Sequence, residues 1–338
     1  MKRSRAGALH PLWMIVLLIL PLLLGMAALC IGRISYPLPE IWNVLMAKLS
    51  GGTVDKQMNI VIWSIRMPRI LLAMLVGAGL SVAGCAFQSL FANPLATPDT
   101  LGVASGTSFG AALALLLGCN LLGVQGIAFA FGILAVTLTW LSAAGKGRGL
   151  SSVVLGGIMI GSLFSSLVSL VKFTADTETQ LPAITYWLMG SLSGAGFESL
   201  KWGAPCIGAG ILVLFLLRWQ LNVLPLGEAE AKSLGSNIRL LRIVTVICAT
   251  AVTASSVAMC GQVGWVGLLI PHICRMAFGN DHRAIIPASV SLGAAFLVVV
   301  DTLARSISAA EIPISVLTAI IGAPFFILLM RRSRGWRL

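Results

Sequence analysis

The sequence predicts an all-α, polytopic membrane protein with about ten transmembrane helices, folded as one transmembrane domain over residues 1–338. Hydrophobic residues make up 58% of the chain and charged residues only 10%, and the mean hydropathy is +0.98. With the 36 glycines the apolar share rises to about 69%, whereas soluble domains show about 45–50% on the same count. Uncharged runs of about 20 residues, the length that crosses a bilayer, recur along the chain. These observations exclude an ordinary soluble protein.

The net charge of +12 does not indicate nucleic-acid binding. The cations are spread between apolar runs instead of clustering on one face, which is typical of residues that anchor spans at the membrane surface. The seven cysteines include no C-x-x-C pair, so neither a disulfide framework nor a metal site is expected.

Ten apolar runs are predicted to cross the membrane. They cover residues 12–32, 69–91, 100–118, 122–143, 151–171, 200–217, 241–259, 263–278, 284–303 and 312–330. The first run follows a basic N-terminus, but it is long for a signal peptide, and Leu29 before Cys30 matches no common cleavage site. We therefore predict an uncleaved first span.

Two segments between the spans are too polar or too short to cross. Residues 33–65 are interpreted as a polar loop with one amphipathic helix. Residues 181–192 are interpreted as a re-entrant or interfacial half-helix.

The distribution of lysine and arginine predicts the orientation. With the N-terminus in the cytoplasm, fifteen of these cations lie on the cytoplasmic side and eight outside, which favours cytoplasmic placement of both termini. This orientation places Arg66, Arg69 and Arg305 on the outer face, although lysine and arginine are usually more frequent on the cytoplasmic side.

One internal similarity suggests an inverted repeat. Residues 82–85, followed by Pro94, resemble residues 257–260, followed by Pro271. Because the two segments lie five spans apart, a repeat in this frame would be inverted, as in many transporters.

No catalytic motif was identified. The chain lacks the phosphate-binding G-x-x-x-x-G-K-[ST] motif, H-E-x-x-H and G-x-S-x-G, so no nucleotide, metal or other cofactor is expected on this chain. His272 lies inside a span, where it is either a structural hydrogen-bonding group or a ligand. An ion-driven secondary transporter or an intramembrane enzyme is the alternative of a different class, but both need buried ionisable groups, and the spans carry nearly none.

A cytoplasmic loop at about residues 218–240 separates the sixth and seventh spans. Glu228 and Lys232 have the spacing of a helical ion pair, and Gly235 is placed to end that helix. A short capped helix with alanines on one side would fit a groove on a partner, although a solvated loop is the simpler alternative.

Five segments together resemble one known family. They are Arg66-Met67-Pro68-Arg69, Asn93-Pro94-Leu95-Ala96, and residues 261–272, 301–305 and 311–326. In this order, from about residue 60 to 330, they resemble the permeases of binding-protein-dependent ATP-binding-cassette (ABC) importers for iron-siderophore, haem and cobalamin.

The resemblance implies a set of partners. Two permease chains, identical or related, would assemble in the bacterial inner membrane with two cytoplasmic ATPase chains that use ATP. A periplasmic or lipid-anchored binding protein would deliver the solute. The permease itself would be a transport subunit without enzymatic activity.

The resemblance also implies roles for particular residues. Arg66, Arg69 and Arg305 match outer-face arginines that form exposed ion pairs with acidic residues of the binding protein. The cytoplasmic gate would comprise Asn93, Leu95, Ser151 and Ser152. The loop that couples to the ATPase would include Gly227, Glu228, Glu230, Lys232 and Gly235.

The solute expected from this resemblance is a metal chelate, with a ferric siderophore foremost. A path without an intramembrane charge cluster suits a bulky chelate better than a bare metal ion, which would need carboxylate or imidazole ligands. Haem, cobalamin and molybdate importers are the alternatives within the same family.

Overall fold

The computed structural model describes residues 10–52, 55–143, 150–226, 228–235, 237–308 and 310–332. Within these ranges the fold is all helical, as predicted. The helices are α1 (Pro11–Cys30), α2 (Leu38–Ser50), α3 (Lys56–Asn59), α4 (Met67–Leu90), α5 (Val103–Leu116), α6 (Leu121–Ser142), α7 (Leu150–Thr174), α8 (Gln180–Leu188), α9 (Phe197–Leu216), α10 (Glu228–Ser233), α11 (Ile238–Cys260), α12 (Val266–Phe278), α13 (His282–Ile307) and α14 (Ile314–Arg332).

The predicted spans correspond to helices of this bundle. Seven helices in the described ranges are long and apolar enough to cross a membrane, and three shorter apolar ones correspond to α5, α12 and α14. The ends of these helices lie within a few residues of the predicted ends. The half-helix predicted at residues 181–192 is α8, which is nine residues long.

The segment predicted as a polar loop with one amphipathic helix, residues 33–65, contains that helix as α2, but its last part is helical as well. Asp55 accepts a hydrogen bond from the amide of Met58 (3.0 Å), and the chain then stays helical through a π-helical segment, Ile60–Arg66, into α4. Pro68 has no amide hydrogen to donate, and a wider π turn is a common way for a helix to accommodate such a local defect. Residues 56–59 are polar, and for this reason the sequence analysis assigned them to a loop.

α4 lies at the centre of the bundle and packs against α1, α9, α11, α12 and α13. Almost all of its residues are buried, and glycines let its neighbours approach closely. A methyl group at Gly77 would overlap the carbonyl of Gly293, and one at Gly84 would overlap the carbonyl of Gly267. These contacts show why a lipid-embedded bundle uses so much glycine.

The predicted inverted repeat stays a prediction. The structure does pair a long buried helix with a short one twice, as α4 with α5 and as α11 with α12. Lengths alone do not establish a repeat.

The ends of α8 and α11 meet the starts of α12 and α14 at one junction. The amide of Ser191, after α8, donates to the carbonyl of Cys260 at the end of α11 (2.8 Å), and the amide of Ile314 donates to the carbonyl of Gly190 (3.0 Å). Gly190 and Gly261 have φ of +75° and +73°, and a side chain on either would overlap backbone of the other segment. We call this region the helix junction. It comprises residues 189–193, 260–265 and 312–315.

Candidate functional site

Three arginines and two carboxylates meet at one end of the bundle. In α4, Arg69 binds Asp301 of α13, with its Nε 3.0 Å from both carboxylate oxygens and its Nη2 2.8 Å from Oδ1. Its Nη1 donates to Glu311 Oε1 at 2.8 Å. Arg305 lies one turn after Asp301, with its Nε 3.8 Å from Oδ2. With Arg66, these residues form what we call the arginine cluster, and we call this end of the bundle the arginine end.

Two of these arginines bind the last turn of α1. Arg66 donates to the carbonyls of Leu29 (2.5 Å) and Ile34, and Arg305 donates to the carbonyl of Ala28. The last carbonyls of a helix lack intrahelical partners and carry partial negative charge, so guanidinium groups suit them. The cluster therefore ties together α1, α4, α13 and the segment before α14.

The prediction that these arginines are exposed is wrong. Arg66, Arg69 and Arg305 are only 5%, 6% and 7% exposed. The sequence placed them at span ends but did not show that three helices converge over them. Their docking role stays a prediction, since it concerns a partner chain.

The charges of the cluster do not cancel. Arg69 and Arg305 face Asp301 and Glu311, whereas Arg66 is held by backbone carbonyls and by the ring of Tyr36, 5.5 Å from its guanidinium. Three cations against two carboxylates leave one positive charge, and the contacts place it at Arg66.

The expectation that the spans carry nearly no charge fails at Asp301. This carboxylate belongs to α13 and is 1% exposed. Sequence reasoning assigned no role to Asp301 or Glu311. The spacing of Asp301 and Arg305, four residues apart on one helix face, was the available signal.

The predicted gate residues lie in two segments. Asn93 and Leu95 are exposed in the turn after α4, where Asn93 Oδ1 accepts the amide of Leu95 (2.9 Å). Ser151 is exposed and Ser152 partly buried in the first turn of α7. The gate stays a prediction.

The predicted coupling helix forms as α10. Gly235 follows it with φ +72°, as expected of a residue that ends a helix in the left-handed region. Glu230 is exposed. Gly227 and the side chains of Glu228 and Lys232 lie outside the described residues, and so does their predicted ion pair.

Ala231 does not face a partner. Its side chain is fully buried in the core of this chain, so the expectation that the alanines of α10 present a docking face is wrong at this position. Leu234, which directly follows α10, is a large apolar residue that is 53% exposed.

The segment that leads to α10 is tied to the rest of the bundle. Ser89, at the end of α4, donates to the carbonyl of Leu221 (2.5 Å), and Asn222 donates to Asp281 between α12 and α13 (3.0 Å). The amide of His282 donates back to Asn222 Oδ1 (3.0 Å). Sequence reasoning did not select these residues, because nothing local marks a contact across 60 positions.

Asp281 is held in its ionised form. Burial raises the pKa of Asp281, but hydrogen bonds from Arg283 and Asn222 outweigh that effect and bring the pKa below its usual range. Arg283 donates to Asp281 Oδ2 through Nη2 at 2.8 Å and through Nε at 3.0 Å.

The part of the chain that the structure describes contains no metal-binding constellation. No group of three or more His, Cys, Asp or Glu residues there is arranged to hold a metal ion. His272 is buried in α12, with its ring packed edge-on against Phe326 of α14 at 5.9 Å.

Comparisons with known proteins identify relatives over the whole length. The model of the FecCD transport family matches residues 17–332. The molybdate import system permease protein of Haemophilus influenzae is 40% identical over 329 residues, which cover 96% of this chain and 97% of that protein. The vitamin B12 import system permease protein of Klebsiella pneumoniae is 37% identical, over 96% of this chain and 94% of its own.

A solved structure also resembles this chain over nearly its whole length. It is an inward-facing conformation of a transporter assigned to the metal-chelate type of ABC transporter, with a TM-score of 0.86 and 38% identity. The match covers 96% of this chain and 100% of that one.

Proposed function

The chain belongs to the FecCD transport family and is a multi-pass permease of an ABC importer; we propose that it translocates a metal chelate, with a ferric siderophore foremost. The observation that supports the chelate is the similarity over the full chain to a transporter of the metal-chelate type. Relatives named for molybdate and vitamin B12 make these solutes the competing candidates, with molybdate first because its relative is 40% identical.

The proposal includes an assembly. Two permease chains would sit in the bacterial inner membrane, with both termini and α10 in the cytoplasm and the arginine end outside. Two ATPase chains would bind the α10 side, and a binding protein would dock on the arginine end. The permease itself carries no nucleotide-binding motif, so ATP hydrolysis is assigned to the partner.

Uptake by the reconstituted assembly tests the solute. The permease, its ATPase and its binding protein would be placed in proteoliposomes and offered ferrichrome, haemin, cyanocobalamin or molybdate. We expect ATP-dependent uptake of ferrichrome above the other three. Uptake of molybdate alone would contradict the chelate and favour the second candidate.

The energy for transport must come from the ATPase. Moving a two-state transporter from 1:99 to 99:1 takes about 5.5 kcal/mol of differential binding. Surface ion pairs with a binding protein contribute about 0–1 kcal/mol each, so three of them are insufficient. We assign to docking the orientation and the rate of encounter, and to ATP-driven closure the conformational work.

The internal ion pairs of the arginine cluster reduce the charge that is available to attract an acidic partner. Two of its three cations already face internal carboxylates, so the charge left to attract an acidic partner is that of Arg66. A single net charge mainly affects the association rate, and this effect weakens as salt screens it.

The Arg66→Gln variant tests this role. Glutamine keeps hydrogen-bond donors for the α1 carbonyls but removes the excess charge. We expect slower association of the loaded binding protein, a weaker dependence of that rate on salt, and unchanged basal ATP hydrolysis. Lys56→Gln, an exposed cation at the start of α3, is the matched control. An unaltered association rate in Arg66→Gln would remove the docking role.

The opposite end is proposed to contact the ATPase through α10. Glu230 of α10 and Leu234 directly after it are exposed and can reach a partner. The hydrogen bonds of Ser89 and Asn222 position the segment before α10. Asn93, Leu95 and the serines at the start of α7 are proposed to narrow the path on this side. A transported solute would pass them last.

A further inference from the structure

α6 and α11 enclose a groove on the α10 side of the bundle. The two helices touch at one level, where a methyl group on Gly132 would lie 2.9 Å from the Cβ of Ala254. Beyond that contact, towards the end of α6 and the start of α11, they leave a cavity of about 440 Å³. The cavity runs from Ile133 to Leu141 on α6 and from Ile243 to Ala251 on α11, which is about 12 Å of helix.

The groove opens at the surface of the chain. Its walls are apolar, and four of the residues that form them are exposed: Ile133, Leu141, Ile243 and Ile247. α6 and α11 are both long and apolar enough to cross a membrane. An open apolar groove between two such helices therefore faces either lipid or a second membrane protein.

Two polar groups at the groove have no hydrogen-bond partner among the described residues. They are Thr250 Oγ1 and Trp140 Nε1. Thr250 is only 2% exposed, and a polar group that is removed from water without a partner is costly. Thr137 also lines the groove, but its hydroxyl donates to the carbonyl of Ile133 on its own helix (2.9 Å). The two open donors indicate an occupant that carries an acceptor oxygen.

The backbone directs the two open donors towards the same level of the groove. Trp140 is eight residues after Gly132, and Thr250 is four residues before Ala254, so Trp140 begins one turn nearer the α10 side. Side chains lean towards the N-terminus of their own helix. Because the helices run in opposite directions, Trp140 leans away from the α10 side and Thr250 leans towards it. One carbonyl oxygen between them can accept from both.

Two arginines extend the groove beyond its open end. Arg239 is exposed and Arg242 is partly buried at the start of α11. They precede Ile243 and Val246 by four residues, which places each on the same helix face as a residue of the groove. Basic side chains between spans on the cytoplasmic side, with tryptophan at the membrane boundary, are typical of sites for anionic lipid headgroups.

The spacing of these groups matches the layers of a bilayer. Val246, at the level of Trp140, is one turn or about 6 Å beyond Arg242. The polar layer on each side of a bilayer is about 5–8 Å thick. With the arginines in that layer, the open donors lie at the boundary where the ester groups of phospholipids are found.

We propose that the groove between α6 and α11 holds one anionic phospholipid. Its phosphate lies at Arg239 and Arg242, an ester carbonyl oxygen accepts from Trp140 and Thr250, and one acyl chain follows the apolar walls. The site lies on the side proposed to face the cytoplasm and directly after α10. It does not depend on which solute the permease carries.

A second copy of the chain fits the groove less well. A helix with its side chains is 10–12 Å across, so a 12 Å length of it occupies about 900–1,400 Å³, at least twice the volume of the cavity. The carbonyls inside a helix are already bonded to its own amides, so a helix brings no open backbone acceptor to the two donors. A single acyl chain is thinner than a helix, and its ester supplies the acceptor.

Lipid binding by the purified full chain tests the proposal. The permease in mild detergent would be titrated with phosphatidylglycerol, which is anionic, or with phosphatidylcholine, which has no net charge, and bound lipid counted by native mass spectrometry. We expect one tightly bound phosphatidylglycerol per chain. Thr137→Phe fills the groove from an exposed position and is expected to abolish this binding. Thr137→Val, at the same position, leaves the cavity and the open donors and is the control. Equal binding by all three chains would overturn the proposal.

Single variants test the ester contact. Trp140→Phe keeps an aromatic ring and removes the N–H, and Thr250→Val keeps the shape and removes the hydroxyl. Each is expected to weaken phosphatidylglycerol binding by about two- to tenfold, the range for one hydrogen bond. Without lipid, Thr250→Val is expected to be no less stable, because it removes a hydroxyl that has no partner, and this separates lost binding from misfolding. Unchanged affinity in both variants would overturn the ester contact.

Arg239→Gln tests the contact with the phosphate. We expect the preference for phosphatidylglycerol over phosphatidylcholine to fall by about fivefold at low salt, the contribution of one cation near an anionic lipid surface. Lys172→Gln, which removes a cation at the opposite end of α7, is the control. Equal affinity of the unsubstituted chain for the two lipids would overturn the assignment of an anionic headgroup.

Oxidative cross-linking in the membrane distinguishes a lipid from a second copy of the chain. Thr137→Cys places a thiol in the groove, and the unsubstituted chain with its seven cysteines gives the background. We expect no additional dimer band with the variant. A new dimer band would place a second copy in the groove and overturn the proposal. These measurements use the permease without its partners, so their failure leaves the proposed function standing.

Discussion

The two ends of the protein are held together by different forces. At the arginine end, hydrogen bonds of 2.8–3.0 Å join Arg69 of α4 to Asp301 of α13 and to Glu311. Arg66 and Arg305 bind backbone carbonyls at the end of α1. At the α10 end, a short helix rests on a fully buried alanine, Ala231. The segment that leads to this helix is held by hydrogen bonds of Ser89 and Asn222.

The difference indicates that the two ends have different roles. Removing one member of a buried ion pair leaves its partner charged and unsolvated, which costs far more than removing a neutral contact. A rigid arginine end suits a surface that receives a partner without changing shape. A weakly tied α10 end suits a part that moves with an ATPase.

The largest effect is expected for Asp301→Ala. This variant leaves Arg69 and Arg305 without their shared carboxylate, at a cost of about 3–5 kcal/mol. The midpoint of unfolding by SDS, followed by circular dichroism in mild detergent, would measure the loss. Replacing the Arg69–Asp301 pair together, as Arg69→Met with Asp301→Leu, is expected to restore part of it, because Arg305 and Glu311 still lose a partner. A midpoint unchanged by Asp301→Ala would show that the cluster does not stabilise this end.

A smaller effect is expected at the α10 end, for Ala231→Leu. The larger side chain has no space at a fully buried position, and overpacking typically costs about 1–3 kcal/mol. Because α10 is proposed to contact the ATPase, uptake per ATP is expected to fall even where the chain still folds. The same unfolding titration and the reconstituted assembly provide the two measurements.

Leu234→Ala is the companion variant for this prediction. Its side chain is exposed, so stability should change by no more than about 0.5 kcal/mol, while binding of the ATPase is expected to weaken. Normal coupling in both variants would contradict the proposed role of α10.

The smallest effect is expected in the loop before α8. Asp176 accepts hydrogen bonds from the hydroxyl and amide of Thr179 and from the amide of Glu178, and these lower the pKa of the exposed Asp176. A group with a depressed pKa in the folded state stabilises the fold above its unfolded pKa of about 3.9. That contribution is lost as the pH falls through the lower, folded pKa.

Asp176→Asn isolates this contribution. The melting temperature of the unsubstituted chain should fall slightly more than that of Asp176→Asn between pH 6 and pH 3. Glu178→Gln, in the same loop, is the control. Equal losses in all three chains would show that the Asp176 contacts do not contribute.

Features that depend on neighbouring residues were predicted more accurately from the sequence than features that depend on residues far apart in the chain. Long apolar helices such as α6 and α13 were predicted within a few residues, because hydropathy over about 20 residues decides whether a segment enters the bilayer. The short helix α8 and the end of α10 near Gly235 were also predicted, the first from the length of its apolar run and the second from the glycine.

Features that depend on partners far along the chain were missed or misjudged. The burial of Arg69 depends on Asp301, 232 positions away, and Asn222 meets Asp281 across 59 positions. Ala231 was expected to face a partner because a short polar helix gives no sign of which side packs on its own bundle. None of these contacts has a local pattern.

The amino-acid sequence by itself determined which segments cross the membrane, because the free energy of placing a helix in lipid is summed over its own residues. The tertiary structure alone decided which polar groups are buried and which are exposed. It buried three arginines together with Asp301 and left residues such as Ser193 and Gln262 exposed, since the cost of burying a polar group depends on the partners that packing brings to it.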